Sequence, residues 1–303
     1  MSKACDRSTD CVATFVAGPD LRFSEAQATD ATNAAGLSPA HLDWLEPGVA
    51  LDVFFGHGDD ARIIAGRLRE ALAPAPVDVI VQPVVGRRKH LLVSDMDSTM
   101  IVQECLDELA GCRGLREKIS AITQQAMRGE LEFETALRAR VALLAGVTQD
   151  DIQSIIARLT PNPGARTLVA TMRAHGAWTA LITGGFAPIA DAVAARLGFN
   201  ETRANRLGVL ENALTGEVLP PVLGRAAKRR ALEEMRRTRD LSPVDTLAIG
   251  DGANDLDMLA AAGLGVAWRA RPVVAEAAMA RLDHADLTAL LFAQGYRRAE
   301  FMG

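Results

Sequence analysis

From His90 onward the chain repeats one pattern: a short apolar run, a polar or glycine-rich break, then a helical stretch. The apolar runs are Leu91-Leu92-Val93-Ser94, Trp178 to Ile182, Thr246 to Ile249 and Leu264 to Trp268. Runs this short, bounded by turn signals and without polar alternation, read as strands buried on both faces. Helix between successive strands makes them parallel, since only a long crossover returns the chain in the same direction. One intervening helix shows its core face as Ile189, Val193 and Leu197, and Gly198 closes it. The expected class is therefore α/β, with a doubly wound parallel sheet. The interval between the first two strands is too long for a single crossover and is itself helical. Phe133, Leu137, Val141 and Leu144 make an amphipathic stripe within it, so an inserted helical bundle over about 103–161 is expected. Asn205 to Val218 reads as a hairpin with its return near Leu214-Thr215-Gly216.

The first 85 or so residues read as a separate unit. Cys11 to Val16, Val49 to Phe55 and Val77 to Val85 are strand candidates, and Pro83 suggests an edge position for the last. Phe23 to Ala35 looks helical. A second helix starts at Asp59 and Asp60, carries Ile64, Leu68 and Leu72 on one face, and ends at Pro74 and Pro76. This order suits a small α+β, ferredoxin-like sandwich over 1–85, followed by a larger unit over 86–303. Gly86-Arg87-Arg88-Lys89-His90 between them reads as a solvated hinge.

Composition excludes several classes. The net charge of −5 provides no basic field for a nucleic acid, and aromatics at 4% provide no stacking platform. No apolar stretch approaches the ~18 residues of a membrane span, and no basic start precedes an apolar run as in a signal peptide. Four cysteines (Cys5, Cys11, Cys105, Cys112) are too few for a disulfide scaffold and read as small apolar fillers in a reducing compartment. A cytoplasmic protein acting on a small molecule is expected, without nucleic-acid or membrane partners.

Candidate chemistry sits where the strands end, the place where ligands bind in such a sheet. The first strand runs into Asp95-Met96-Asp97-Ser98-Thr99. Two acids at i and i+2 repel one another unless a cation or a proton intervenes. The third strand runs into Gly250-Asp251-Gly252-Ala253-Asn254-Asp255, again acids at a strand end before a helix. Carboxylates from two strands make an oxygen cage suited to Mg²⁺. Between them Thr183-Gly184-Gly185 offers a hydroxyl and backbone N–H groups at an expected helix start, an anion site. Lys228 precedes the second acidic cluster. The other charges from Arg225 to Arg239 read as a solvated helix face interleaved with Glu233 and Glu234.

The order of these motifs resembles the haloacid dehalogenase superfamily of phosphotransferases. Asp95 to Glu108, Met127 to Phe133, Leu137 to Leu144, Thr183 to Phe186, Ala204 to Leu207 and Leu214 to Gly216 further resemble its phosphoserine phosphatase family, over about 200 residues from Leu91. The resemblance implies a Rossmann-like core with a helical cap. The N-terminal third loosely resembles the ACT-type regulatory domains that some members carry. The implied reaction is Mg²⁺-dependent hydrolysis of O-phospho-L-serine to L-serine and phosphate, the last step of serine biosynthesis. Asp95 would be the nucleophile, forming an aspartyl-phosphate, and Asp97 the general acid and then base. Asp95, the Asp97 carbonyl and Asp251 would hold Mg²⁺, with Asp255 acting through water. Thr183, which stands where the family has serine, would hold phosphoryl oxygens with Gly184 and Lys228. Asn254 would contact substrate or phosphate. Glu104 would take the substrate ammonium and Arg140 its carboxylate, with Met127 and Phe133 shielding the pocket. The alternative is a phosphatase or phosphotransferase for another small phosphomonoester, such as phosphohomoserine. A homodimer and an amino-acid effector at the N-terminal unit are open expectations.

Overall fold

The structure is a computed structural model that describes residues 10–56, 59–127 and 130–303, without the side chains of Ala126 and Met127. Cys5 and Met127's shielding role thus lie outside the described residues and side chains.

The N-terminal region comprises β1 (Cys11–Ala17), α1 (Glu25–Ala34), β2 (Pro39–Glu46), β3 (Ala50–Phe55), α2 (Ala61–Leu72) and β4 (Val77–Pro83). The sheet order is β2-β3-β1-β4, with all neighbours antiparallel, the ferredoxin-like arrangement. Helix α1 begins with a Ser24–Gln27 capping box, and α2 is capped by Asp60 alone of the two candidate aspartates. Phe15, Phe55, Ile64, Leu68 and Val79 are buried between sheet and helices. The sequence reading missed β2. Its residues are mostly half-exposed; the alternation Ala40, Leu42, Trp44 is a strand signal that the sequence reading did not use, and pairing to β3 confirms the strand. Pro83 does mark an edge, since β4 is the last strand of its sheet.

The second sheet contains β5 (Leu91–Ser94), β6 (Trp178–Phe186), β7 (Glu201–Leu210), β8 (Ala213–Leu219), β9 (Thr246–Gly250), β10 (Leu264–Trp268) and β11 (Ala280–Leu282). Its order is β11-β10-β9-β5-β6-β7-β8, parallel throughout except for the β7–β8 hairpin. The chain leaves β5 toward β6 and later returns to β9 on the other side. The strand order therefore reverses beside β5, where such sheets open a crevice. Between β5 and β6 lie α3 (Cys105–Cys112), α4 (Arg116–Met127), α5 (Phe133–Ala142) and α6 (Gln149–Arg158), followed by α7 (Ala165–Ala174). The later helices are α8 (Ala187–Leu197), α9 (Arg225–Thr238), α10 (Leu256–Ala261), α11 (Pro272–Ala277) and α12 (Ala289–Ala293). Among the described residues no helix is long and apolar enough to cross a membrane.

Several expectations are corrected. The β7–β8 turn is Glu211-Asn212, both at positive φ, and Leu214-Thr215-Gly216 lies on β8. Asn adopts the left-handed region at low cost, so Asn212 is itself a turn signal in the sequence. Cys112 is exposed, so it fills no core, whereas Cys11 and Cys105 are buried. Of the apolar stripe, Leu137, Val141 and Leu144 are buried but Phe133 is 40% exposed.

The largest correction concerns Gly86 to His90, which is an interlock rather than a solvated hinge. Arg87 donates to both carboxylate oxygens of the buried Asp52 at 2.7 and 3.1 Å, and also to the Ala293 carbonyl at 3.1 Å. The Lys89 ammonium donates to the carbonyls of Gly86 at 2.7 Å and Val244 at 2.9 Å, and burial pushes its pKa down to about 8. Arg88 lies 3.7 Å over the Tyr296 ring. On β4, Asp78 accepts three backbone N–H groups, from Asp283, His284 and Ala285, at 2.7–3.0 Å. The two sheets are thus joined along β4 by buried, satisfied polar contacts.

Candidate active site

Strand β5 ends at Ser94, so the following aspartates are placed by a loop rather than by strand alternation. Ser98 has φ 54°, which turns that loop back and leaves both Asp95 and Asp97 on one cavity. The cavity is about 550 Å³, and its walls include Asp95, Asp97, Glu104, Arg140, Thr183 and Asn254.

Asp95 Oδ1 accepts the Met96 N–H at 2.8 Å, and its Oδ2 lies 2.8 Å from the Lys228 ammonium. Lys228, fully buried on α9, also donates to Asp255 Oδ1 at 2.6 Å. Burial works against its charge, but Asp255 and Asp95 outweigh burial and hold the proton on. Its contacts are thus with carboxylates beneath the cavity wall. Asp251 accepts Thr99 Oγ1 at 2.8 Å. Asp255 Oδ2 accepts the Gly252 N–H at 3.1 Å. Gly250 is required here, because any Cβ would collide with the Asp255 carboxylate.

Asp95, Asp251 and Asp255 bring carboxylate oxygens within 4.8 Å of one another. Burial and the charge of Asp95 push Asp251 up to about 6. The same two causes push Asp255 up to about 7, against the pull of Lys228. Three hard oxygen donors whose mutual repulsion calls for a cation fit Mg²⁺.

Asp97 is the least compensated acid. Its Oδ1 has the Cys105 N–H at a long 3.4 Å, and its Oδ2 faces Gly185, where a Cβ would lie 3.2 Å away. Burial first, then the charge of Glu104, push it up to about 8. A carboxyl that keeps its proton near neutrality can donate it.

Thr183-Gly184-Gly185 lies on the irregular end of β6, and α8 starts only at Ala187. The expected helix start is therefore corrected: the N–H groups belong to a strand end. Gly185 donates to Thr183 Oγ1 at 2.9 Å, and Asn205 donates to the Gly184 carbonyl at 2.8 Å while accepting the Leu223 N–H at 2.7 Å. Asn205 fixes this loop from β7, a role the sequence reading did not assign.

Helix α5 brings Phe133 and Arg140 to the cavity from above. The Phe133 ring sits close enough to Gly224 that a Cβ there would lie 3.0 Å from it. Arg140 donates to the Ala136 carbonyl at 3.2 Å and to Thr123 Oγ1 at 3.3 Å. Glu104 precedes α3 as its N-cap and accepts Ser98 Oγ at 2.5 Å. Three wall residues lie outside every motif that sequence reasoning singled out: Thr123, Arg271 and Val273. Arg271 was signalled only by lying just beyond the fourth strand, with Pro272 opening the next helix.

Strand-end acids under an inserted helical cap, at the point where the strand order reverses, place this chain among α/β hydrolases. The model of the haloacid dehalogenase-like hydrolases matches residues 92–260, and the chain belongs to that family. Among its relatives, the phosphoserine phosphatase of Streptomyces coelicolor is 40% identical over 77% of this chain. The chain spans 58% of that relative's length. The phosphoserine phosphatase of Methanocaldococcus jannaschii is 37% identical over 68% of this chain and 97% of its own length. A crystal structure of a HAD family hydrolase from Salmonella enterica serovar Typhi superposes with a TM-score of 0.84 at 27% identity, covering 93% of this chain and 98% of that one.

Proposed function

We propose that the protein is a Mg²⁺-dependent phosphoserine phosphatase, hydrolysing O-phospho-L-serine to L-serine and phosphate. The observation that carries the reading is one cavity holding Asp95, Asp97 and Thr183 on its floor and Glu104 and Arg140 on its walls. The floor fits a phosphate, and the walls fit an ammonium and a carboxylate. The named phosphoserine phosphatases among its relatives support the same substrate.

Asp95, the Asp97 carbonyl, Asp251 and Asp255 would hold Mg²⁺, the last through water. Bound Mg²⁺ supplies charge neutralisation between carboxylate and phosphate. Asp95 attacks phosphorus as the phosphorus–oxygen bond to serine breaks, giving an aspartyl-phosphate. Asp97 donates its proton to the departing serine oxygen, then takes one from the water that hydrolyses the acyl-phosphate. Thr183 Oγ1 and the Gly184 N–H receive phosphoryl oxygens. Lys228 offsets the charge of Asp95 from beneath. Arg140 binds the substrate carboxylate, Glu104 its ammonium, Asn254 contacts substrate or phosphate, and Phe133 shields the pocket from water.

The test is phosphate release from L-phosphoserine, phosphothreonine, phosphohomoserine and p-nitrophenyl phosphate, each with Mg²⁺ and with EDTA. Mg²⁺-dependent preference for L-phosphoserine is expected. Preference for another phosphomonoester would keep the chemistry and discard the wall assignment.

A further inference from the structure

Four strands deliver groups to the cavity at their carboxyl ends. Strand β5 provides Asp95 and Asp97, β6 provides Thr183 and Gly184, and β9 provides Asp251 and Asn254. The fourth, β10, leads through Arg269 and Ala270 to Arg271 and Val273, which also line the cavity. The function argued above gives those two no task.

Arg271 is held firmly. Its carbonyl accepts the Val274 N–H at 2.9 Å and the Ala275 N–H at 3.0 Å as α11 opens. Strand β10 lies inside the sheet, and the chain after β11 is pinned by the three N–H bonds to Asp78. Arg271 thus stands on the same rigid core as Asp95, whereas Arg140 stands on the inserted helices. Lys228, buried beneath the cavity, contacts Asp95 and Asp255.

Glu104 shares this cavity. Among the described residues its side-chain donor is Ser98, and it faces the repelling charges of Asp95 and Asp107. Opposing positive charge comes from Arg271 and, on the inserted helices, from Arg140, which the proposed function assigns to the substrate carboxylate. A carboxylate meant to read an ammonium must remain ionised and must point into the cavity before the ligand arrives. Burial and two neighbouring acids work against both.

We propose that Arg271 is a specificity-determining residue, positioning the Glu104 carboxylate in the cavity so that Glu104 selects substrates that carry an amino group. This rests on the reading of Glu104 as the ammonium site. Arg271 is a positioning residue, acting on substrate through Glu104. Its guanidinium charge is the property required, so lysine should substitute for it in part.

The test compares kcat/KM for L-phosphoserine with that for the same molecule lacking the amino group, 3-phosphooxypropanoate. Arg271→Met is expected to lower this ratio about tenfold, mainly through KM for phosphoserine, the scale of one charge-assisted contact. Arg271→Lys should recover most of it. Glu104→Gln should lower the ratio at least as far, and Arg271→Met on top of it should lower it no further. Arg271→Gln, with thermal melting as a fold control, replaces the methionine variant if that one melts early. A ratio unchanged in Arg271→Met while Glu104→Gln collapses it would overturn the role of Arg271. A ratio unchanged in Glu104→Gln would overturn the ammonium site itself. Equal losses on both substrates in Arg271→Met would make Arg271 structural only.

Discussion

Two regions bury several charged groups, and they treat them oppositely. At the junction of the two sheets, Asp52 receives Arg87 and Thr14, and Asp78 receives three backbone N–H groups. Burial raises both acids, but each has donors for its charge. At the carboxyl ends of β5 and β9, Asp95, Asp251 and Asp255 crowd together with Lys228 in contact with the cluster, and Asp97 faces the same cavity. Among the described residues Asp97 has only a long amide contact and a thiol, both of Cys105, as donors. The junction completes its hydrogen bonds from within the protein. The catalytic floor leaves charge to be balanced by what it binds. Polar burial that is closed on itself holds the structure together, and polar burial left open marks chemistry.

Breaking the floor should affect activity and spare the fold. Asp95→Asn is expected to reduce phosphoserine turnover by roughly 10⁴-fold or more, as loss of a nucleophile does. Its circular-dichroism spectrum should match wild type, because one repelling charge has been removed. Full turnover would take Asp95 out of the mechanism.

Breaking the junction should do the reverse. Arg87→Met leaves Asp52 buried without its cation and is expected to cost about 3–5 kcal/mol of stability. Urea unfolding would measure it, and kcat at a temperature where the variant remains folded should stay near wild type. A matching loss of kcat would mean that the junction also shapes the cavity.

The open floor should respond to cation and to pH. Mg²⁺ at about 100 times its dissociation constant should stabilise the protein by about 2.7 kcal/mol, and Asp251→Asn should remove most of that gain. In EDTA the sign follows from the raised acids. Their stabilising contribution is complete below the usual aspartate value and is lost as pH rises through about 6 for Asp251 and about 8 for Asp97. The melting temperature in EDTA should therefore fall more steeply across pH 5–8.5 than that of Asp97→Asn. Parallel curves would remove Asp97 as the source.

The smallest effect is a sharpening one. Arg140→Ala should lower kcat/KM for phosphoserine about tenfold more than for p-nitrophenyl phosphate, which lacks the carboxylate. Equal losses would mean that Arg140 does not read that group.

Much of this was legible in the chain. The strands at Leu91, Trp178, Thr246 and Leu264 appear where the apolar runs stand, because a strand buried on both faces must be continuously apolar. The acids after β5 and β9 were identifiable because they stand at strand ends, where such sheets bind ligands, and because acids so close repel one another unless a cation or a proton intervenes. Strand β2 was legible only in the alternation Ala40, Leu42, Trp44 on a mostly half-exposed surface, and the three-residue β11 is too short to show a period. Arg87 and Lys89 misled because a basic run usually faces water. Here their partners are Asp52, Ala293, Gly86 and Val244, up to 206 positions away.

The sequence alone determined the α/β class, the helical insertion and the identity of the strand-end acids, because apolar periodicity and local turn chemistry act over a few residues. The tertiary structure decided which charges meet. Lys228 lies between Asp95 and Asp255, Arg271 shares a cavity with Glu104, and Arg87 closes on Asp52. The strength of a charge depends on burial and on neighbours brought from distant positions, and neither exists until the chain has folded.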